Sequence, residues 1–444
     1  MDKWQINNKI NVNFTVDRIV FVFSWIIWVA IGYHLSQFGF GEDTDAWLMS
    51  QTAQKLANGE NYDPARSLGN PLYEYLLVLL QPGQNWFYSN LLSLCLGSLF
   101  LFRLSVYFPV LIEKQVLALR LCLMALPIFN EAASSSMEFM VAWLLFAEIW
   151  VATKQEKHGK LWILSFLLVF IRPEFFPFLM IGLFYSKKLN SKSLFPAVLL
   201  FTSISIFAYR SMGKNPAPFT NWVELIQFYG GRMLFLARQA EFLLPFYIFL
   251  ILGCGIYIRQ KSGSYLFVIP VLALFIIFPF EWAYGFFPIL FGLAYWISTI
   301  KTAAVFSIPL SALAVSCLHF SGTIVIKRPN HIEHRIEMTR LYHLAQVANF
   351  ETPTLLLFGA TYFPTNSKNW EKSMNNRLFR RKGTNFFVGE RLKETELDSI
   401  KDAGFQLIGI KEEKGRISEF NNKIHWIHKN EIEKILTQSP SALF

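Results

Sequence analysis

Long apolar runs alternate with short charged loops over the first three quarters of the chain. The runs Ile19–Phe38 and Trp86–Phe108 are each long enough to cross a bilayer as a helix. The later apolar runs predict further spans at about Gln115–Phe129, Met137–Ala152, Leu161–Tyr185, Leu194–Ser211, Phe242–Ile258, Tyr265–Phe280, a span ending at Lys301, and Ala303–Val325. The stretch 161–185 has lysines on both flanks, which predicts a hairpin with its tip at Arg172-Pro173-Glu174. The pattern therefore predicts an all-α polytopic membrane protein with about eleven transmembrane helices.

Basic residues set the predicted orientation of these spans. Lys3, Lys9 and Arg18 precede the first span, which predicts a cytoplasmic N-terminus. The first outer loop is then 39–85, and an odd number of spans places residues 327–444 outside. Short loops and the absence of organellar signals favour a bacterial plasma (inner) membrane.

The C-terminal part has a different character, because it is charged and contains no spanning run. Short apolar segments at Thr354–Gly359, Asn385–Gly389 and Gln406–Ile410 predict buried strands, and Thr395–Ala403 predicts a helix. This alternation is typical of a small α/β domain. We therefore divide the chain into a transmembrane domain, 1–326, and an extracytoplasmic α/β domain, 327–444.

Composition supports the membrane interpretation. The chain is 53% hydrophobic and 16% charged, whereas soluble domains average about 25% charged residues. The formal net charge of +10 does not indicate nucleic-acid binding, because lysines and arginines lie largely in the short loops between apolar spans.

The first outer loop carries an acidic motif directly before a helical pattern. Glu42, Asp43 and Asp45 fall within four positions, and Asp43 or Thr44 can cap a helix that Gly59 ends. In this pattern Lys55 falls on the polar side of the helix, together with Gln51, Gln54 and Asn58. The helix dipole favours ionised carboxylates at this helix start.

A second short helix follows in the same loop. Asn70 is placed to cap it, Pro71 to begin it, and Gln81-Pro82-Gly83 to stop it. This helix is too short to cross a bilayer, which favours an interfacial position or a prelude to the next span.

Acidic residues outside the first span and arginines at membrane depth suggest group transfer from a lipid-borne anion. A carboxylate can accept the proton of an acceptor hydroxyl, and Arg or Lys can hold a departing phosphate. Glycosyl transfer requires both functions, because its transition state resembles an oxocarbenium ion.

Several motifs resemble GT-C polytopic glycosyltransferases, such as protein mannosyltransferases and aminoarabinose transferases. The first outer loop carries the resemblance most strongly, through Asp45-Ala-Trp followed by Ala53, Leu56, Gly59 and Tyr62. Arg66-Ser-Leu-Gly-Asn-Pro-Leu-Tyr-Glu74, Arg172-Pro-Glu174 and the Asn215-Pro-x-Pro loop are similar to further family segments. The resemblance covers roughly residues 15–325. It implies a polyprenyl-phosphate-linked sugar donor and a catalytic acid in the first outer loop.

By this resemblance Asp45 is the general base, with Asp43 as the second candidate. The resemblance and the charge pattern together give a set of candidate substrate-binding residues: Tyr62, Arg66, Glu74, Arg172, Glu174, Arg210, Lys214 and Arg232. The chain departs from many relatives before span ten, where it has Glu281-Trp-Ala-Tyr-Gly and no arginine. A donor phosphate would therefore depend on the basic residues of that set.

Each motif also has a purely structural interpretation. Asp43 and Asp45 can serve as helix caps, Arg66 can reach lipid headgroups, and Arg172 with Glu174 can pin the hairpin. The sequence identifies no cofactor with certainty, but Glu42, Asp43 and Asp45 could together hold a divalent cation, Mg²⁺ or Mn²⁺, through oxygen ligands.

The sequence predicts a membrane glycosyltransferase whose partners are the polyprenyl-phosphate-linked sugar, membrane lipid and an extracytoplasmic glycan, glycolipid or protein acceptor. Two alternatives stay open. A transporter or flippase of lipid-linked glycans also uses discontinuous spans, although its ionisable residues would lie nearer mid-membrane. A non-catalytic subunit of a glycan assembly complex would use its tail to dock partners and would not need Asp45 or Asp43.

Overall fold

The structure is a computed structural model. It describes residues 16–41, 44–59, 62, 70–81, 85–155, 157–172, 282–300, 304–311, 313, 335–336, 339–340, 354–358, 361–364, 406–411 and 425–428. Its helices are α1 (Val16–Leu35), α2 (Thr44–Ala57), α3 (Pro71–Leu80), α4 (Phe87–Tyr107), α5 (Glu113–Ala125), α6 (Pro127–Ser134), α7 (Phe139–Lys154), α8 (His158–Ile171) and α9 (Trp282–Thr299). Its strands are β1 (Thr354–Phe358), β2 (Thr361–Pro364), β3 (Gln406–Lys411) and β4 (His425–His428).

Two helices in the described part of the chain, α1 and α4, are long and apolar enough to cross a membrane. They contain 20 and 21 residues, which corresponds to about 30 Å of helix, the thickness of a bilayer's hydrocarbon core. Much of the α1 surface consists of exposed apolar side chains, including Phe23 (66% exposed) and Ile31 (56%). The predicted first and second spans are therefore confirmed as helices of sufficient length.

The predicted third span is interrupted. Leu126 has extended backbone angles between α5 and α6, because the residue before a proline is pushed out of the helical region. The chain then forms α6 as far as Ser134, which lies in the stretch between the predicted spans 115–129 and 137–152. A single 15-residue helix over 115–129 was thus wrong in detail, since Pro127 starts a new helix.

Helices α1, α4, α5 and α6 pack closely where small residues lie between them and where their side chains form hydrogen bonds with one another. A Cβ on Gly97 of α4 would lie 3.1 Å from Ala133 of α6 and 3.1 Å from Trp28 of α1. Such small residues let helices approach closely where the hydrophobic effect between them is weak. Trp28 also donates a hydrogen bond to the Asn130 side chain at 2.6 Å.

Helices α7, α8 and α9 complete the described helical part. Helix α7 packs on α8 and α4, and α9 packs against α5, α6 and α7. Fully buried Trp143 of α7 stacks on Phe286 of α9 with 3.9 Å between ring centroids. Phe286 also meets Phe100 of α4 and Phe129 of α6. Aromatic rings therefore form the centre of this core.

The C-terminal strands form one sheet in the order β2-β1-β3-β4. Strand β1 is antiparallel to β2 and parallel to β3, and β3 is parallel to β4. The strands predicted at 354–359 and 406–410 are confirmed, while β2 and β4 were not predicted. The predicted strand 385–389 and helix 395–403 lie outside the described residues, as do the spans predicted between 194 and 280. The count of eleven spans stays a prediction.

Candidate functional site

Buried polar side chains gather at one end of the helices, which we call the polar end. Its members are each at most 2% exposed: Ser36, Asn70, Glu74, Ser89, Asn90, Ser93, Ser134, Ser135, Ser136, Glu138, Arg172 and Arg335. Hydrogen bonds join them: the Ser136 hydroxyl lies 2.6 Å from that of Ser89 and donates to the Asn90 side chain at 2.7 Å. The Ser93 hydroxyl donates to the Ser135 carbonyl at 2.7 Å. These hydrogen bonds offset much of the cost of burying the groups, although, within the described part of the chain, Ser135 Oγ, Glu138 Oε2 and Arg172 Nη1 accept or donate no hydrogen bond.

A charged cluster lies elsewhere, near the start of α1, α5 and α8 and in the second half of α4 and α7. Glu148 accepts from Lys160 at 2.7 Å and from Arg103, and Arg18 lies 3.6 Å from Glu113. None of these residues takes part in the contacts of the polar end given above.

The backbone that leads into the acidic motif is fastened to the polar end. Asn90 donates to the Gly39 carbonyl at 2.8 Å, and the Ser136 amide donates to the Phe40 carbonyl at 2.6 Å. The Trp47 indole donates to the Gly41 carbonyl at 3.1 Å, and Ala46 is fully buried. The start of α2 is therefore held from both sides of the motif.

Helix α2 begins and ends as predicted. It begins at Thr44, and Gly59 follows it with a φ of +79°, the left-handed conformation that a terminating glycine supplies. Asp45 lies in the first turn, while its side chain, Glu42 and Asp43 lie outside the described residues. The choice between Asp45 and Asp43 as base stays a prediction.

Gly41 permits the close approach between the motif and the end of α6, and Gly41→Ala should destabilise the protein by at least about 2 kcal/mol. Its φ is +144°, and an added Cβ would lie 2.8 Å from Cβ of Ser135. Thermal unfolding in detergent measures the effect. Gly159→Ala is the control, because nothing lies within 4 Å of its added Cβ, and its unfolding temperature should stay equal or rise slightly. Equal unfolding temperatures for both variants would contradict this account of Gly41.

Tyr62 and Glu74, both predicted substrate-binding residues, lie together. The Tyr62 hydroxyl donates to Glu74 Oε2 at 2.5 Å, and both side chains are buried. Burial and the neighbouring Glu74 carboxylate raise the pKa of Tyr62 well above its usual value. The phenol therefore stays protonated and donates at any physiological pH. The pair joins Tyr62, five positions after the end of α2, to helix α3.

Tyr62→Phe should cost about 1–3 kcal/mol of stability, because it removes a donor from a fully buried carboxylate. The matched control is Tyr75→Phe: Tyr75 stacks on Tyr62 with 6.0 Å between ring centroids but is 52% exposed. Chemical unfolding of the two variants should separate them. Equal losses would show that the hydroxyl of Tyr62 contributes nothing specific.

Arg172 and Glu138 form a buried ion pair. Arg172 Nε donates to Glu138 Oε1 at 2.9 Å, and the guanidinium lies 5.1 Å from the centroid of the Phe139 ring. Burial and the Glu138 charge raise the pKa of the nearby Tyr73 phenol. Helix α8 ends at Ile171, which fits the first arm of the predicted hairpin, whereas Glu174 and the second arm lie outside the described residues, so the hairpin stays a prediction. A structural role for Arg172 is thus visible, with Glu138 from the start of α7 as its partner.

Two details of the first outer loop were predicted wrongly. Lys55 is only 4% exposed, although Gln54 and Asn58 of the same predicted face are half-buried and exposed, respectively. Helix α3 packs against α2, so α2 is not an isolated surface helix. Asn70 does precede Pro71 at the start of α3, but its side chain makes no capping hydrogen bond and donates instead to Met49 Sδ at 3.4 Å. The backbone N–H of Asn70 donates a hydrogen bond to Glu74 Oε2 at 3.4 Å.

Arg335 is a residue of the polar end that sequence reasoning missed. It is 2% exposed, and its guanidinium donates to the carbonyl of Phe38 and to both oxygens of Ser134. It also lies 3.8 Å from Glu131. No local pattern distinguishes it from the other charged residues after the last predicted span, because its partners are up to 297 positions away.

The other predicted site residues lie outside the described part of the chain: Arg66, Arg210, Lys214 and Arg232. Among the described residues, no group of three or more His, Cys, Asp or Glu side chains could hold a metal ion. The cation site predicted from Glu42, Asp43 and Asp45 falls outside that search and stays a prediction.

Comparison with protein-family models, with curated proteins and with solved structures finds no match to this chain.

Proposed function

We propose that this protein is an integral membrane glycosyltransferase. It moves a sugar from a polyprenyl-phosphate-linked donor to a hydroxyl of an extracytoplasmic glycan, glycolipid or protein. The transmembrane domain carries the reaction at its outer face, and the C-terminal domain lies on the same side.

The proposed reaction needs one base and one site for the leaving group. The acceptor oxygen attacks the anomeric carbon and forms the new glycosidic bond, while the bond from that carbon to the phosphate oxygen breaks. The electron pair leaves on the polyprenyl phosphate, and Asp45 takes the hydroxyl proton. Basic residues of the predicted set, Arg66, Arg172, Arg210, Lys214 and Arg232, are the candidates for stabilising the departing phosphate.

The proposal is carried by one observation: the backbone leading into α2 is fastened to an end of the helices that is rich in buried polar groups. Asp45 occupies the first turn of a helix whose preceding residues, Gly39 and Phe40, are bound by Asn90 and Ser136. A base must be held within a fraction of an ångström of its working position. An acid in a fastened first turn meets this need better than one in a free loop.

A membrane location is supported by α1 and α4. Both are of bilayer length, and the exposed surface of α1 is lined with apolar side chains such as Val22, Phe23 and Ile26. Acyl chains are the solvent that such a surface suits. A donor with a polyprenyl chain would share that environment.

The experiment is reconstitution of the full chain in liposomes that contain polyprenyl-phosphate sugars, tested one sugar at a time with an envelope glycolipid fraction as acceptor. Release of free polyprenyl phosphate together with labelled acceptor is the expected result. Movement of intact donor between leaflets without release would instead favour a transporter. If a preparation that keeps its unfolding transition shows no release of polyprenyl phosphate and no movement of the donor, both the transferase and the transporter proposals are refuted.

A further inference from the structure

Arg335 joins the ends of two helices that are far apart in sequence. Its Nε donates to the Phe38 carbonyl at 2.6 Å, beyond the end of α1. One terminal nitrogen donates to the Ser134 hydroxyl at 3.0 Å, and the other donates to the Ser134 carbonyl at the end of α6. The last carbonyls of a helix have no partner within it, and a cation near them is favoured by the helix dipole.

Thr339, one helical turn after Arg335, packs on Gly39, which lies just before the acidic motif. The Thr339 hydroxyl donates to the Arg335 carbonyl at 2.8 Å. It also lies 3.0 Å from the position of a Cβ on Gly39, whose φ is +48°. The second terminal nitrogen of Arg335 lies 3.5 Å from the Gly39 carbonyl. Arg335 and Thr339 thus both lie against Gly39, where Trp47 also lies 3.0 Å from the added Cβ.

From these contacts we infer that Arg335 is a positioning residue: it fixes the backbone at Phe38 and Gly39, and thereby the position of the first turn of α2, which contains Asp45. This inference rests on the proposed function for the role of Asp45. It assigns to the segment that follows the last predicted span a part in assembling the reaction site. The guanidinium suits this role because its fork of donors reaches several acceptors at fixed angles, which an ammonium group cannot do.

The test combines amide hydrogen exchange with steady-state kinetics on the full chain in lipid nanodiscs. Arg335→Met should speed exchange of the amides in 39–47 by at least about tenfold, because hydrogen bonds from a charged donor are lost. Exchange in the middle of α4, residues 91–104, should stay unchanged. Arg335→Lys should lie between the wild type and Arg335→Met, since it keeps the charge but loses the fork.

In the kinetic arm, kcat for sugar transfer should fall about tenfold or more in Arg335→Met, with KM for the donor changed less than about threefold. Arg103→Met is the matched control, because its arginine is paired with Glu148 in the charged cluster. It should change neither the exchange of 39–47 nor the kcat.

Three outcomes would overturn the inference: unchanged exchange at 39–47, faster exchange that includes α4, or a change confined to KM. If Arg335→Met does not fold, Arg335→Lys and Ser134→Ala decide by the same readouts. If the wild type transfers no sugar, the proposed function fails, while the exchange comparison still decides whether Arg335 holds the motif.

Discussion

Asp45→Asn is expected to lower the rate of sugar transfer by about 10²–10⁴-fold while leaving the unfolding temperature unchanged. The amide is nearly the same size as the carboxylate and can still cap a helix, but it cannot accept the acceptor's proton. Transfer of labelled sugar in liposomes measures the rate, and thermal unfolding in detergent measures folding. The loss should appear in kcat, because proton removal belongs to the chemical step.

Two further variants make this result specific. Asp17→Asn is the matched control, because Asp17 lies in the first turn of α1, far along that helix from Gly39, and its transfer rate should equal that of the wild type. Asp43→Asn should lower the rate less than Asp45→Asn. The reverse order would assign the base to Asp43. Full activity in both variants would refute a mechanism in which an acid of the first outer loop is the base.

Either Arg172→Met or Glu138→Leu alone should destabilise the protein by about 3–5 kcal/mol. Each single change leaves a charge without its partner, because the two side chains are 1% and 0% exposed and lie 2.9 Å apart. Chemical unfolding in detergent measures the loss. Activity, where any is left, should fall in parallel with the folded fraction if Arg172 is structural, and further than that if it also binds the donor.

The double variant, with Leu at 138 and Met at 172, tests the cause of this loss. An apolar pair of similar volume removes both charges together, so its stability should exceed that of either single variant. Losses that simply add would mean that the two side chains do not depend on each other. Arg103→Met provides the comparison in the charged cluster, where Glu148 keeps Lys160 as a second partner.

Local features were predictable from the sequence because their causes are local. The start of α2 at Thr44 and its end before Gly59 follow from capping preferences, and the start of α3 at Pro71 from the fixed φ of proline. The lengths of α1 and α4 follow from the lengths of their apolar runs. Of the candidate site, this reasoning predicted the residue types in the first outer loop and the end of a helix before Arg172.

Contacts between distant segments were not predictable in the same way. Lys55 looks like a solvent residue on an isolated helix, but α2 packs against α3 and Lys55 is buried in the folded chain. Arg172 has an acidic residue two positions away in sequence, yet the structure pairs it with Glu138, 34 positions away. Arg335 has no signal at all until the ends of α1 and α6 come together. Such pairings depend on the fold, which periodicity does not encode.

The stacking of Trp143 on Phe286 has a consequence for biosynthesis. Phe286 leaves the ribosome 143 positions after Trp143, which at ordinary translation speeds is a delay of roughly 7 to 30 s. During that interval the helices made first present an aromatic slot that only a later helix can fill. The final assembly of the helical core therefore waits for the synthesis of residues 282–299, which bring Phe286 to Trp143, Phe100 and Phe129.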